Sequence, residues 1–351
     1  MYSAARRRAS PAIFRTAAPA PIERAMILLT GGAGFIGSNL HASFAAQGEE
    51  VVVCDRLREG TKWRNLRAHP PLRLIAPDAL EEFLATHPPL ELVIHLGAIS
   101  ATTATEGDLV WETNFELSRR LWEWCAGRGA RFLYASSAAT YGDGAAGFDD
   151  DARPEALARL RPLNLYGWSK HAFDLWVARR LAAGGPRPPQ WAGLKFFNVY
   201  GPNEYHKGRM ISVVKVKYDE IRAGQPIRLF RSDRPDLEDG EQARDFLWVG
   251  DVVAVLLWLR AHPGISGLFN LGTGQARTYR ALAEALAAAA GVVPEIAFID
   301  MPAALHGQYQ SFTEARMERL RTAGYDAPFT PLEDGVRRYV QEFLARPDPY
   351  L

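Results

Sequence analysis

The 351-residue sequence predicts an α/β fold, a doubly wound parallel sheet with a smaller α/β part toward its C-terminal end. Three observations predict it. Ile27-Leu28-Leu29, Val51-Val52-Val53-Cys54 and Leu92-Val93-Ile94-His95 are short, continuous, β-rich apolar runs, the pattern of strands covered on both faces. Helical stretches separate these runs, as crossovers between parallel strands require. A glycine-rich turn follows the first run and opens the first helical stretch.

Taken in order, the elements are a strand at Ile27–Leu29, a helix from about Gly34, a strand at Val51–Cys54, a third at Leu74–Ile75 and a fourth at Leu92–His95. A helical pattern at about Trp111 to Gly127 leads to a strand at Phe132–Ser136, and one at Ser169 to Ala183 to a strand at Ala192–Phe197. Beyond that the spacing becomes irregular. Met210 to Ala223 reads as a helix, Arg231 to Arg244 as a charged loop, and Phe246–Val249 and Leu268–Asn270 as returns to the sheet. Arg277 to Ala290 and Ser311 to Ala323 read as helices of the smaller part. The expected division is 26–197 with about 246–274 in the sheet domain, and about 198–245 with 275–351 in the other.

Composition narrows the function classes. With 48% hydrophobic and 23% charged residues the chain can bury a sizeable core, and a net charge of +1 supplies no basic field for nucleic acid or an anionic membrane. The longest apolar run, Val252 to Leu259, is bounded by Asp251 and Arg260 and falls short of the roughly 20 residues that a membrane helix needs. Cys54 and Cys125 are too few for a disulfide framework and lack metal-ligand spacing with the histidines, so no metal site is expected and a reducing cytoplasm fits. Residues 1–25 carry Arg6, Arg7, Arg8, Arg15 and Arg24 against a single acid, Glu23, and read as a disordered leader, either a targeting segment or a start-site artefact ahead of Met26.

Thr30-Gly31-Gly32-Ala33-Gly34-Phe35-Ile36-Gly37 has the spacing G-x-x-G-x-x-G between a strand and a helix, the context of a Rossmann dinucleotide fingerprint. Glycine lets the backbone turn sharply and approach a pyrophosphate, whose charge meets the N–H groups at the helix start. Asp55 ends the second strand, where an acid accepts a hydrogen bond from the adenosine ribose. By itself it favours NAD; Arg56, Arg58 and Lys62 just beyond it supply cations for a 2′-phosphate and keep NADP open. Asp78, after the third strand, is placed either to meet the adenine or to cap the helix that follows.

Tyr166 and Lys170 stand at i and i+4 in Asn164-Leu165-Tyr166-Gly167-Trp168-Ser169-Lys170. An ammonium and an oxidised nicotinamide both favour the phenolate, lowering the tyrosine from its usual value of about 10 so that it takes a hydroxyl proton. In Ser136-Ser137-Ala138-Ala139-Thr140-Tyr141-Gly142, at a strand end, Ser137 is the candidate donor to a developing carbonyl oxygen.

With fingerprint, serine motif and Tyr-x-x-x-Lys in this order, the chain resembles the extended short-chain dehydrogenase/reductase family from about Met26 onward. Within it, His95 to Thr103, Lys195 to Glu204, His206 to Met210, Gln242 to Phe246 and Gly307 to Thr313 look like the ADP-glyceromanno-heptose 6-epimerases. That resemblance implies inversion of C6 in ADP-D-glycero-β-D-manno-heptose for lipopolysaccharide core biosynthesis in a bacterial cytoplasm, with NADP retained as hydride carrier. Homo-oligomers, often pentamers, are the family's assembly.

Carried over by position, it implies Leu96, Gly97, Ala98, Ser100, Asn114 and Val199 at the cofactor, beside Gly31, Gly34, Phe35, Ile36, Gly37, Asp55, Arg56, Lys62 and Asp78. It implies Asn198, Arg209, Phe230, Arg231, Ser232, Asp233, Arg244 and Tyr309 at the substrate. Lys207 matches the family's second acid/base, its pKa lowered by desolvation and by the neighbouring cations His206 and Arg209; spacing alone favours a phosphate anchor, and the resemblance reverses that preference. The chain departs from the family at Phe230–Asp233 and at Val216, where a histidine is usual. The rival readings are a UDP- or GDP-sugar 4-epimerase or dehydratase, against which Ala138 after Ser137 and the His206-Lys207-Gly208 motif argue, and a silent dinucleotide-binding sensor.

Overall fold

The structure is a computed structural model and describes residues 26–86, 90–302 and 310–351; the leader and Tyr309 lie outside the described residues. The first half runs β1 (Met26–Thr30), α1 (Phe35–Ala46), β2 (Val51–Cys54), β3 (Arg73–Ile75), α2 (Leu80–Thr86), β4 (Leu90–His95), α3 (Gly107–Trp111), a π-helical turn at Glu112–Glu116, α4 (Leu117–Arg128), β5 (Arg131–Ser137), α5 (Pro154–Leu157), α6 (Leu165–Ala182) and β6 (Trp191–Phe196). The second half runs β7 (Asn198–Tyr200), α7 (Val213–Arg222), β8 (Ile227–Phe230), β9 (Ala243–Trp248), α8 (Val249–Ala261), β10 (Gly267–Leu271), β11 (Ala276–Thr278), α9 (Tyr279–Ala290), β12 (Ile296–Ile299), α10 (Glu318–Thr322) and α11 (Leu332–Tyr339).

Among the described residues, seven strands form one sheet in the order β10-β6-β5-β4-β1-β2-β3, every neighbouring pair parallel. Side chains alternate across it. Ile27, Leu29, Val51 and Val53 face a core closed by Leu40 and Phe44 of α1 and Val252, Leu256 and Leu259 of α8. Leu28, Val52, Val93 and Phe132 face another, closed by Leu121 and Trp122 of α4 and Phe173 and Val177 of α6. Both faces are therefore dry, which is why the runs read as continuous rather than alternating apolar.

A separate core joins Tyr200, Val214, Trp248, Leu282, Leu286, Val336 and Tyr339, drawn from β7, α7, β9, α9 and α11. Two small sheets lie with it, β11-β9-β7 and β12-β8. Two expectations are corrected. Phe246–Val249 does not return to the main sheet: β9 pairs with β7 and β11, while Leu268–Asn270 does return, as β10 beside β6. Ser311 to Ala323 is not one helix: Phe312 bridges Ala243, and helix begins only at Glu318, with Ala315, Met317 and Leu320 packed on the α1/α8 side of the main sheet. The helix expected from Met210 starts at Val213, where the Ser212 hydroxyl accepts from the Lys215 N–H.

Candidate active site

Because the seven strands are parallel, the residues that follow them gather on one edge: Gly31 after β1, Asp55 after β2, Leu96 after β4, Ser137 closing β5 and Asn198 after β6. The strand order reverses between β1 and β4, the place where a doubly wound sheet opens a crevice.

The glycine turn is pressed into that crevice. Gly31 sits at φ +71, and a Cβ there would stand 2.6 Å from the Gly97 nitrogen in the loop after β4. At Gly37 it would stand 2.2 Å from the Gly31 carbonyl oxygen. Gly34 precedes α1, and among the described residues neither a capping side chain nor a first-turn acid neutralises the positive end of that helix. This cradle fits a dinucleotide: close backbone approach and an N-terminus free for a pyrophosphate.

Asp55 faces the cradle. One carboxylate oxygen accepts from the Ala33 N–H at 2.9 Å, and the other from Lys62 Nζ at 2.6 Å and the Arg56 N–H at 2.7 Å. Arg56 reaches back to Asp78 at 2.6 Å, so Asp78 pairs across the loop and caps nothing; Ala76 stands at that cap position. Leu96 and Gly97 hang from Thr30 through its carbonyl and hydroxyl, Ala98 follows partly buried, and Ser100 is exposed. Asn114 is fully buried, its amide bonded to the Ile99 main chain and the Ser169 hydroxyl, which holds this loop in place.

Ser137 and Tyr166 come together as expected, the serine side chain near enough to the phenol to favour its ionised form. Their positions are set from behind. Asp174, about two turns further along α6, accepts from Tyr134 at 3.1 Å, Ser136 at 2.6 Å and the buried Lys195 ammonium at 2.9 Å. Lys195 also donates to Thr140, whose hydroxyl holds the Ser137 carbonyl. Asn164 caps α6 by accepting from Gly167, and a Cβ on Gly167 would lie 2.6 Å from the Ala139 carbonyl, so the helix carrying Tyr166 packs directly on the serine loop.

Burial pushes the Tyr166 phenol up, opposed by the Ser137 hydrogen bond. Burial brings the Lys170 ammonium down to about 8, Asp174 opposing.

Lys207 lies in a loop tied at its base: buried Asn203, at φ +70, donates to Ser38 of α1 at 3.0 Å, and Glu204 accepts from Ser212 and Tyr339. The Lys207 ammonium is 4.9 Å from the Phe35 ring centre at the start of α1 and 3.9 Å from Glu204. Its pKa is lowered, as expected, by desolvation, against the pull of Glu204, while the neighbouring cations expected to help are not among the causes. His206 is no cation: burial, then the charges of Lys62 and Lys207, bring it down to about 4. Arg209 is exposed.

The NAD dependent epimerase/dehydratase family matches residues 27–272. An ADP-L-glycero-D-manno-heptose-6-epimerase of Nitratidesulfovibrio vulgaris is 48% identical over 331 residues, 93% of this chain and 100% of that one. The chain belongs to this epimerase family. Among solved structures, the Helicobacter pylori ADP-L-glycero-D-manno-heptose-6-epimerase matches with a TM-score of 0.73 at 28% identity, covering 91% of this chain and 96% of that one. A Thermus thermophilus UDP-glucose 4-epimerase in complex with NAD matches with 0.68 at 27%, covering 90% and 97%. The protein is thus an epimerase that works with a nicotinamide dinucleotide, and its nearer likeness is to the heptose enzymes rather than to the UDP-sugar ones.

The substrate residues expected of this epimerase are spread over three elements. Asn198 opens β7, exposed, its side-chain oxygen 3.5 Å from the Thr313 hydroxyl, and Val199 follows it. Arg244 is buried in β9 beside Tyr279. Phe230 ends β8; Arg231 pairs with Asp239 and Asp300, the Ser232 N–H donates to Asp239, and Asp233 is exposed, so this divergent segment is ordered largely by its own charges. Val216 is exposed on α7. Asp174, Lys195 and Asp245 escaped the sequence reading. Asp245 accepts from Thr273, Gly274 and Ala315 and so anchors the strand of Arg244, and its one signal was its place in the Gln242-Ala243-Arg244-Asp245-Phe246 motif.

Proposed function

We propose that this epimerase inverts C6 of the heptose in ADP-D-glycero-β-D-manno-heptose, giving the L-glycero form, in a bacterial cytoplasm. The observation that carries the reading is the joining of a dinucleotide cradle and the neighbouring Ser137 and Tyr166 on one sheet edge, in a chain whose full-length relative at 48% identity carries that name. An unactivated secondary alcohol has no acidic C–H, so inversion needs a ketone stage. Bound nicotinamide supplies the reversible hydride acceptor for that stage and is left unchanged overall.

The chain's own residues do the rest. Tyr166 takes the C6 hydroxyl proton and returns it, Ser137 donates to the carbonyl oxygen, and Lys170 holds the nicotinamide ribose and favours the phenolate. Lys207 is the second proton-handling group, and its burial lowers its pKa in the direction a base requires. The part built from about 198–245 and 275–351 holds the ADP moiety, with Arg244 suited to the diphosphate. NADP is the cofactor we favour: Lys62 neutralises Asp55 at 2.6 Å, which removes the repulsion a carboxylate would otherwise present to a 2′-phosphate. Assembly as a homo-oligomer, a pentamer by family likeness, completes the proposal.

Incubation with ADP-D-glycero-manno-heptose in deuterated water, followed by NMR, should give the C6 epimer without deuterium at C6. Absence of the epimer would sink the assignment, and deuterium at C6 would sink direct hydride return. A second role for Lys207 is favoured by its place over Phe35 at the start of α1, where a phosphate would lie. Lys207→Ala decides between them: cofactor binding kept and inversion lost supports the acid/base, whereas activity kept with weakened nucleotide binding supports the anchor.

A further inference from the structure

The loop that carries Lys207 and the turn that carries the dinucleotide are separate in sequence, yet one side chain bonds both. Asn65 lies buried in the 3-10 turn Lys62–Leu66, next to α1. Its amide nitrogen is 3.0 Å from the Ala33 carbonyl oxygen in the glycine turn, 2.9 Å from the Asn203 carbonyl oxygen and 3.2 Å from His206 Nδ1. The two carbonyls fix which way the amide points, because the opposite rotamer would set its oxygen against both. The amide's two hydrogens go to those two carbonyls, so the His206 ring 3.2 Å away packs against the amide and at most shares one of them. The groups that face this ring are Lys62, Lys207 and Asp55, two cations and one anion, and burial outweighs them all in keeping it neutral.

The Asn65 oxygen is buried with no partner among the described residues. Fold stability alone does not call for an amide with one end wasted. The same turn begins with Lys62, whose ammonium sits on Asp55, so a single short turn touches the acid at the adenosine ribose, the glycine cradle, and Asn203 and His206 just ahead of Lys207.

We propose that Asn65 is a positioning residue that locks the Lys207 loop onto the dinucleotide turn, holding the second proton-handling group in register with the bound cofactor. The proposal rests on the reading that Lys207 serves the reaction. It acts through Lys207 and touches neither substrate nor reacting atoms.

The test is a double-mutant cycle in the full chain with Asn65→Ala, and with Asn65→Asp as an isosteric variant that removes both donors. Either change should lower kcat at least about tenfold in the wild-type background and less than about twofold on the residual activity of Lys207→Ala, because neighbours in one network do not add. The limb of the pH–rate profile that Lys207 sets should move to higher pH as the ammonium gains water. Independently of turnover, the His206 ring followed by NMR should titrate higher, from near 4 toward its ordinary value of about 6.5. Equal losses in both backgrounds with an unmoved His206 titration would overturn the proposal. Lack of epimerisation by the wild-type protein would overturn the functional reading instead, and the His206 titration would still decide the position of Asn65.

Discussion

Lys62→Ala separates NADP from NAD. In the structure Lys62 and Asp55 are 14% and 11% exposed and 2.6 Å apart, so the pair is screened far less than a surface ion pair. Removing the ammonium deletes a cation and leaves a carboxylate facing any 2′-phosphate. A unit charge pair about 5–6 Å apart is worth about 3 kcal/mol at an effective dielectric near 20, and salt and relaxation trim this to about 1–2 kcal/mol. At 1.4 kcal/mol per decade the NADP dissociation constant should rise about 5- to 30-fold. NAD has no phosphate to repel, and the freed carboxylate can accept from its ribose hydroxyl, so NAD affinity should hold or improve. Equilibrium titration of both dinucleotides checks this. NADP affinity within twofold of wild type, or an equal loss for both, would refute the assignment of Lys62 to cofactor choice.

Two further outcomes follow from the same edge of the sheet. Gly37→Ala places a methyl 2.2 Å from the Gly31 carbonyl and 2.8 Å from Gly32 Cα, both backbone, so the turn must open; we expect a loss of about 1–3 kcal/mol in unfolding free energy and no thermal shift on adding NADP, and a normal ligand-induced shift would contradict the cradle. Lys170→Met should stabilise the protein without added dinucleotide at pH 7 while abolishing turnover. The sign follows from the depressed pKa: below about 8 the folded state bears the full cost of a buried ammonium, and from 8 to 10.5 the folded state sheds its proton before the unfolded one, so wild-type stability rises with pH over that window. The variant should lead by about 2–3 kcal/mol at pH 7 and lose that lead by pH 10.5 in urea titrations; a variant less stable at pH 7 would show that Lys170 is compensated in a way its surroundings do not suggest.

Much of this epimerase was legible before its structure. A dinucleotide turn, a strand-end acid, a serine loop and Tyr-x-x-x-Lys are each short windows of sequence, and local chemistry at fixed spacing survives reading in one dimension. The alternation of Ile27, Leu28 and Leu29 between two cores follows from strand geometry alone, which is why the main sheet was predictable from its apolar runs. Phe246–Trp248 looked like another such run but pairs elsewhere, because strand partners are chosen across the chain and not within a window.

What only the tertiary structure decided is the company each group keeps. Lys62 belongs to Asp55 and Asp78 to Arg56; Asp174 and Lys195 stand behind Ser137; and Asn65 bonds Asn203, 138 residues away in the chain. The directions of the pKa shifts fell on the same side of the divide. Tyr166 rises and Lys207 falls for one reason, burial, and His206 is neutral where its sequence position suggested a cation. Desolvation depends on everything packed around a group, so residue order could name the participants in the chemistry while only the packed chain could set their charges.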